Sequence, residues 1–151
     1  MRIALGADHA GVELKEKIKT LLDERGDAYT DFGTSTRDSV DYPDYAIKVA
    51  REVASGAFDR GLLFCGSGIG MAIAANKIPG IRAAPVVDEA STRLSREHND
   101  ANVLSLGERL TPPDQARRLV EIFLDTPFAG GRHERRLAKI AQLDSHASPV
   151  E

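Results

Sequence analysis

The sequence predicts an α/β protein: a single domain with a doubly wound parallel sheet of about five strands and helices on both faces. Short apolar runs alternate along the chain with segments of helical periodicity, which is the pattern of repeated βα units. The run that ends at Cys65 is continuously apolar, as strands covered by helices on both faces tend to be. The length of 151 residues, with 42% hydrophobic and 28% charged residues, fits one globular domain.

The first half of the chain is predicted to supply two strands and two helices. Arg2 to Ala7 is the first buried strand, and the amphipathic helix that follows ends at Gly26. Ala28 to Phe32 is the second strand, and a loop over 33–39 leads to a helix from about Tyr42 to Ser55. The first helix is expected to face the core with Ala10, Leu14, Ile18, Leu21 and Leu22, and the solvent with Lys15, Glu16, Lys17 and Lys19.

The second half is predicted to add three strands and four helices. The strands are Arg60–Cys65, Ile81–Val87 and Asn102–Leu106, and the helices cover 71–75, Glu89–Glu97, a segment from Thr111 onward, and Arg132–Leu143. This alternation is typical of a Rossmann-like, doubly wound fold. Because no internal repeat or linker divides the sequence, we expect one domain over residues 1–144 and a flexible tail over 145–151.

Composition and charge exclude several classes of function. The net charge of -3 gives no long-range attraction to nucleic acid or to an anionic membrane, and no apolar stretch approaches the ~20 residues of a membrane helix. Cys65 is the one cysteine, which rules out an intramolecular disulfide, and the start at Met1 opens into a strand rather than a signal peptide. We therefore expect a cytoplasmic protein without nucleic-acid or membrane partners.

Candidate functional residues follow the predicted strands, because open parallel sheets bind ligands outside the carboxyl ends of their strands. Position selects Asp8-His9 after the first strand, the turn Gly66–Gly70 after the third, and Asp88-Glu89 after the fourth. A fourth segment, 96–100, lies at the tail of the helix before the fifth strand. This segment can reach a site only if the helix brings it back to the carboxyl ends of the strands, or if the site belongs to a partner subunit.

The glycine-rich turn after Cys65 has three possible interpretations. It can hold an anion with backbone amides at a helix N-terminus, or it can be a turn required only for packing. The third interpretation is a dinucleotide-binding fingerprint, because Asp88 lies about 20 residues on, where an acid would bind the ribose. Against it, Met71 occupies the place of the last glycine, and the turn follows the third strand instead of the first. A P-loop is excluded because no Gly-Lys-Ser/Thr follows.

Cys65 itself is either a small buried hydrophobic residue or a reactive thiol. It immediately precedes a predicted helix N-terminus, where backbone amides and the helix dipole stabilise a thiolate. Such a thiolate is suited to nucleophilic attack or to proton abstraction beside a carbonyl. The spacing of residues does not separate these two reactions.

Two histidines and two arginines are further candidates. His9 can bind a ligand or, with Asp8, hold its own loop, and His98 can act in a site or cap the C-terminus of a helix. Arg132 and Arg136 are four residues apart on the last predicted helix, so they share a face and form a pair of cations suited to a phosphate. The alternative for this pair is a solvated basic face.

At these residues the sequence resembles the type B ribose-5-phosphate isomerases, which group with galactose-6-phosphate isomerase subunits. The matching segments run in the family's order from the first strand to the last helix and cover nearly the whole chain. They are Gly6-Ala7-Asp8-His9-Ala10-Gly11, Asp41-Tyr42-Pro43, Cys65-Gly66-Ser67-Gly68-Ile69-Gly70, Ala74-Ala75-Asn76-Lys77, Gly80-Ile81-Arg82-Ala83, the stretch 95–103, and Gly130-Gly131-Arg132-His133.

The resemblance implies an aldose–ketose isomerase in which Cys65 is the base that moves a proton between C2 and C1. Some members carry alanine there and a glutamate base at the position of Met71, so this chain resembles the cysteine branch. His98 matches the residue that opens the sugar ring, and Ser67 stands beside the base. The anion hole for the enediolate is implied at Gly66, Gly68, Ile69 and Gly70.

The resemblance also implies a set of binding residues, no metal and no organic cofactor. Asp8 and Asn99 correspond to residues that bind sugar hydroxyls. The phosphate contacts correspond to His9, Arg132 and Arg136, with Arg109 as a further binding arginine and Tyr42 lining the pocket. Family members are homodimers or larger assemblies, such as dimers of dimers, with active sites at the subunit interface, so part of the site is expected from a partner chain.

The expected reaction is therefore the interconversion of ribose 5-phosphate and ribulose 5-phosphate. The alternatives are isomerisation of another sugar phosphate, such as allose 6-phosphate, galactose 6-phosphate or a tetrose 4-phosphate, and a non-catalytic sugar-phosphate-binding module. A binding module needs the arginines but has no use for a thiolate and His98 together. A thiol-based redox protein lacks a resolving cysteine within the chain.

Overall fold

The computed structural model describes residues 1–145, which form five strands and six helices. The strands are β1 (Arg2–Ala7), β2 (Ala28–Asp31), β3 (Arg60–Cys65), β4 (Ala83–Pro85) and β5 (Val103–Gly107). The helices are α1 (Val12–Arg25), α2 (Tyr42–Ala54), α3 (Ile69–Ala75), α4 (Glu89–Glu97), α5 (Pro113–Asp125) and α6 (Arg132–Asp144). All four strand pairings are parallel, in the order β2-β1-β3-β5-β4, so the predicted α/β sheet is confirmed.

Side chains alternate across the central strand and build a core on each face of the sheet. Phe64 of β3 points to the face covered by α1 and α5, whereas Leu63 points to the face covered by α2 and α3. Both side chains are completely buried. The continuous apolar character of β3 follows from its central place, since helices cover it on both sides.

Three predicted details are wrong. Ala10 is expected on the core face of the first helix, but it lies in the turn before α1 and is only partly buried. The sequence predicts a strand over Ile81–Val87, but β4 covers Ala83–Pro85 alone, because it is an edge strand paired with β5 on one side and Pro85 has no N–H to extend a ladder. Helical periodicity places Lys15 on the solvent face of α1, but its side chain is fully buried. Its ammonium group is paired inside the protein with Asp31, which offsets the cost of removing the charge from water.

Helix α6 differs from the other helices in how little of it is covered. Every residue of α6 lies within the described part of the chain, and His133 alone among them is buried. Ile140 is 46% exposed and Leu143 is 69% exposed. The C-terminal end of the helix is held by Asp144, whose carboxylate accepts a hydrogen bond of 2.8 Å from the Gly80 amide.

The predicted tail begins where α6 ends, and residues 146–151 lie outside the described residues. Within residues 1–145, no helix is long and apolar enough to cross a membrane.

Candidate active site

A cleft of about 280 Å³ lies at the carboxyl ends of β1, β3 and β5, which are neighbours in the sheet. The loop segments after these three strands meet there, as the strand-end rule predicts. The cleft is lined by Asp8, His9, Ala10, Tyr42, Cys65, Gly66, Ser67, Gly70, Arg109 and Leu110. Eight of these ten residues belong to the predicted set, and the sequence analysis missed Ala10 and Leu110 as lining residues. Leu110 could have been found by applying the same rule to the segment after β5.

Cys65 is the last residue of β3 and faces the glycine-rich turn. Its side chain is 4% exposed, and its Sγ accepts a hydrogen bond of 3.1 Å from the backbone N–H of Gly68. The thiol is therefore mostly buried, as the packing interpretation expects, and it also meets a backbone amide, as the reactive interpretation expects.

The glycine turn has a shape that requires glycine at Gly68. This residue has a φ of 77°, and a Cβ placed there would lie 2.9 Å from the carbonyl carbon of Leu106. Ser105, on β5, donates a hydrogen bond of 2.6 Å to the Gly68 carbonyl. Packing against β5 thus fixes the turn, in which the Gly68 amide meets Cys65.

The dinucleotide interpretation is not supported by the position of Asp88. This residue caps α4, its carboxylate accepting a hydrogen bond of 2.7 Å from the Ser91 amide. It follows the edge strand β4, which is separated from β3 by β5, and it does not line the cleft.

Asp8 and His9 hold their own loop and line the cleft at the same time. Oδ1 of Asp8 accepts hydrogen bonds from the amides of Ala10, at 2.9 Å, and Gly11, at 3.2 Å. Nδ1 of His9 accepts a hydrogen bond of 3.2 Å from the amide of Val40. Because Nδ1 is an acceptor, the neutral imidazole carries its proton on Nε2, so this nitrogen is a donor.

Arg109 and Tyr42 complete the cleft by lying directly against its glycines. A Cβ at Gly66 would stand 2.9 Å from a guanidinium nitrogen of Arg109, and a Cβ at Gly70 would stand 2.7 Å from the Tyr42 ring. The backbone N–H of Arg109 also donates to the Gly66 carbonyl at 3.1 Å. The glycines therefore allow a cation and an aromatic ring to reach the turn.

Four more predicted residues, together with His133, form a second group, which we call the His–Arg cluster: His98, Asn99, Arg132, His133 and Arg136. The imidazole rings of His98 and His133 stack with centroids 4.2 Å apart and an interplanar angle of 19°. His98 also caps α4, its amide donating to the Leu94 carbonyl at 2.9 Å, so the capping interpretation is confirmed. Arg132 and Arg136 are exposed at the start of α6.

The His–Arg cluster does not line the cleft, and the topology explains why. Helix α4 returns the chain to the amino end of β5. His98 and Asn99 therefore lie near the amino ends of the strands, whereas the cleft lies at their carboxyl ends. The five residues of β5 separate its amino end from its carboxyl end by about 17 Å, at ~3.3 Å per residue. Asn99 instead lines a larger cavity, of about 410 Å³, beneath α6.

The segment that carries His98 and Asn99 is held by two arginines that the sequence analysis did not single out. Arg96 is buried, and its guanidinium donates to the Asp100 carboxylate at 2.9 Å and to the Ala101 carbonyl at 2.6 Å. Arg82 donates to the Asn99 carbonyl at 2.9 Å. The segment therefore has a fixed conformation although it is at the surface.

The electrostatic surroundings of His133 oppose its protonation. Burial lowers the pKa of His133 below its ordinary value of 6.5, and the neighbouring His98, Arg132 and Arg136 lower it further. The cluster thus concentrates positive charge at the start of α6, where an anion would be favoured.

Comparison with known proteins decides the family to which these features belong. The profile of the ribose/galactose isomerase family matches residues 3–140. The chain belongs to this family. The resemblance to type B ribose-5-phosphate isomerases is confirmed, and this ribose/galactose isomerase family member is an aldose–ketose isomerase.

Individual members of the family are similar over nearly the whole chain. Ribose-5-phosphate isomerase B of Escherichia coli is 44% identical over 143 residues, with 95% of this chain and 96% of that protein covered. The structure of Clostridium thermocellum ribose-5-phosphate isomerase B is 49% identical, with a TM-score of 0.96, and covers 98% of this chain and 100% of that chain. D-erythrulose-4-phosphate isomerase of Pectobacterium atrosepticum is 40% identical and covers 95% of each chain.

Proposed function

We propose that this protein interconverts ribose 5-phosphate and ribulose 5-phosphate, with Cys65 as the base. The observation that carries the proposal is the contact of 3.1 Å between the Cys65 Sγ and the Gly68 amide at the base of the cleft. A buried thiolate beside backbone donors can take a proton from a carbon next to a carbonyl. The names of the E. coli and C. thermocellum relatives support ribose 5-phosphate as the substrate.

In the proposed reaction, the Cys65 thiolate removes the proton from C2 of the open-chain aldose and returns it to C1. The electron pair left on C2 moves into the carbonyl and gives an enediolate, whose oxyanion faces the amides of the turn 66–70. Ser67 can carry the proton between the two substrate oxygens: its Oγ accepts a hydrogen bond of 3.2 Å from the Ile69 amide, which leaves the hydroxyl proton available for donation.

The remaining steps of the reaction, ring opening and phosphate binding, need a second source of residues. We propose that the protein is a homodimer in which the His–Arg cluster of one protomer completes the cleft of the other. His98 would then act in opening the furanose ring, Asn99 and Asp8 would bind hydroxyls, and His9, Arg109, Arg132 and Arg136 would hold the phosphate. Binding of the phosphate orients the small reacting end of the sugar, an effect that can lower a barrier by ~7–11 kcal/mol.

Exposed apolar residues next to both parts of the site support this assembly. Ile69 and Ile73 lie one helical turn apart on α3 beside the cleft, and they are 53% and 59% exposed. Ile140 and Leu143 are exposed on α6, the helix that carries the arginines. A dimer that covers these surfaces would bring a basic helix to the cleft of its partner.

The experiment that tests the proposal is turnover by the purified protein on ribose 5-phosphate, compared with allose 6-phosphate, galactose 6-phosphate and erythrose 4-phosphate. We expect ketose to form fastest from ribose 5-phosphate. A preference for the tetrose phosphate would assign to this chain the activity that the P. atrosepticum relative is named for. Binding of sugar phosphates without turnover, in a sample confirmed to be dimeric, would contradict the proposed isomerase activity and favour a binding module.

A further inference from the structure

Lys15 is a buried charged residue that the proposed reaction does not use. Its side chain is completely buried within α1, among the largest buried side chains of residues 1–145. Burial of an ammonium group is costly unless the group is paired and hydrogen-bonded, so a buried lysine usually has a specific set of partners. The partners of Lys15 are at the end of β2 and in the loop that follows it.

The ammonium of Lys15 binds two groups that together define the start of this loop. Its Nζ donates to Asp31 Oδ1 at 2.8 Å and to the Thr34 carbonyl. The same carboxylate oxygen accepts the Gly33 amide at 2.8 Å, and the other oxygen accepts Lys19 Nζ at 3.2 Å. Although burial opposes ionisation, these hydrogen bonds lower the pKa of Asp31 and favour its carboxylate form.

The loop held by Lys15 is in turn bonded to the last residue of β1. The Ala7 amide donates to the Gly33 carbonyl at 2.6 Å, and the Thr34 amide donates to the Ala7 carbonyl at 2.7 Å. Both backbone groups of Ala7 are therefore used by the loop. The next residue along the chain is Asp8, which lines the cleft.

The far end of the same loop reaches the other side of the cleft. The Val40 amide donates to Nδ1 of His9 and so selects its Nε2–H form. Two residues later, Tyr42 begins α2 and lies over Gly70. A shift of the loop would therefore change the positions of Asp8, His9 and Tyr42 together.

We propose that Lys15 is a positioning residue for the sugar-phosphate site. Its buried ammonium fixes the 33–40 loop against Ala7 and thereby holds the Asp8 carboxylate and the His9 imidazole in their binding orientations. Lys15 acts through these residues and does not touch the substrate. The kinetic part of the test rests on the proposed isomerase function, whereas the spectroscopic part does not.

The test compares Lys15→Met with Lys19→Met. Methionine keeps most of the volume and removes the charge, and Lys19 binds the same Asp31 carboxylate from a more exposed position. We expect Lys15→Met to lower kcat/KM for ribose 5-phosphate at least about tenfold, mainly by raising KM, because the binding groups are misplaced while Cys65 is intact. Lys19→Met should stay within about twofold of the unmodified protein.

A second variant separates positioning from the cost of leaving the Asp31 carboxylate without its buried partner. Lys15→Met combined with Asp31→Asn leaves no buried charge at this pair, so its free energy of unfolding should recover toward that of the unmodified protein. If Lys15 acts by position, the raised KM persists in this double variant. If the KM returns with the stability, the role of Lys15 is structural only and the proposal is wrong.

The ¹⁵N NMR signals of His9 provide a measurement that needs no turnover. We expect the unmodified protein and Lys19→Met to show the Nε2–H form, and Lys15→Met and the double variant to show a mixture of the two neutral forms. Unchanged His9 signals in a folded Lys15 variant would overturn the proposal. Absence of turnover by the unmodified protein, with the expected change at His9, would contradict the proposed function and leave the role of Lys15 supported.

Discussion

The cleft and the His–Arg cluster are built from different kinds of structure. The cleft is formed by loops at the carboxyl ends of three adjacent parallel strands, and its central side chain, Cys65, is 4% exposed. The cluster is formed where α4 ends and α6 begins, with both arginines exposed. The ends of the strands thus bring Cys65 and the glycine turn together in one cleft, whereas the helix ends that carry the cluster lie outside it.

This difference in structure fits the different roles that we propose for the two regions. The cleft contains the groups that would handle the proton and the enediolate, which need burial and fixed geometry. The cluster contains cations that would bind a phosphate, which need charge more than burial. Variants of Cys65 should therefore lower kcat, whereas variants of Arg132 and Arg136 should raise KM.

The largest expected effect is that of Cys65→Ala. Loss of a general base costs about 10²–10⁴-fold in rate, so we expect kcat to fall by this range while the fold and the affinity for inorganic phosphate are retained. Steady-state turnover and phosphate competition measure the two quantities. Ser67→Ala, which removes a hydroxyl from the same turn and leaves the thiol, is the matched control and should retain more activity. Near-normal turnover of Cys65→Ala would exclude this residue as the base.

Complementation between two inactive variants tests whether the regions belong to different protomers of one site. Mixing Cys65→Ala with His98→Ala, after dissociation and reassociation, should restore about a quarter of normal activity, because half of the dimers are mixed and each has one site with both residues. Samples of each variant treated alone are the controls. If the activity of the mixture equals the mean of the two controls, the composite site is wrong.

The third prediction compares two glycines with the same left-handed backbone. Gly68 has a φ of 77° and Leu106 close by, whereas Gly80 has a φ of 84° and nothing within 4 Å of the place that a Cβ would occupy. We expect Gly68→Ala to lower the free energy of unfolding by about 1–3 kcal/mol and to reduce turnover, because the turn must move away from β5. Gly80→Ala should cost about 1 kcal/mol and leave turnover unchanged.

Chemical denaturation and turnover measurements on the same samples check this pair. Equal losses of stability in the two variants would mean that the contact with β5 does not hold the turn. Loss of turnover in Gly80→Ala would mean that strain at this backbone, rather than the shape of the turn, controls the site.

The strand-end rule is sufficient to predict the cleft, because each βα unit is local in sequence and its loop must emerge at one edge of the sheet. Asp8, Cys65 and the turn 66–70 are found in this way. The amphipathic pattern is not sufficient for Lys15, because its partner Asp31 is 16 residues away and local periodicity gives no sign of such a pair. Burial of a charge is decided by tertiary contacts.

For the His–Arg cluster, the sequence predicts the residues but not their place. The four-residue spacing of Arg132 and Arg136 predicts one helical face, and the structure confirms that both lie on α6. The spacing does not say to which site that face is presented. The stack of His98 on His133 joins residues 35 positions apart, a contact that depends on the path of the chain after α5 and has no local signal.

The smallest predicted effect distinguishes the two regions by pH. Because the folded protein lowers the pKa of His133 below 6.5, the unfolded chain binds more protons than the folded protein just below that pH. The free energy of unfolding should therefore fall as the pH is lowered through 6.5, and the fall should end below the folded pKa. His133→Gln removes this titration and should show a flatter stability curve between about pH 5 and 7.

The neighbours of His133 predict how an anion changes this curve. His98 faces it from the end of α4, and Arg132 and Arg136 face it from α6, and all three disfavour its protonation. Inorganic phosphate bound to this cluster would offset the repulsion and reduce the pH dependence of the unmodified protein, measured by denaturation at one protein concentration. Lys48→Gln, on α2, should leave the curve unchanged. If the free energy of unfolding depends on pH in the same way in the unmodified protein and in His133→Gln, titration of His133 is not the cause of that dependence.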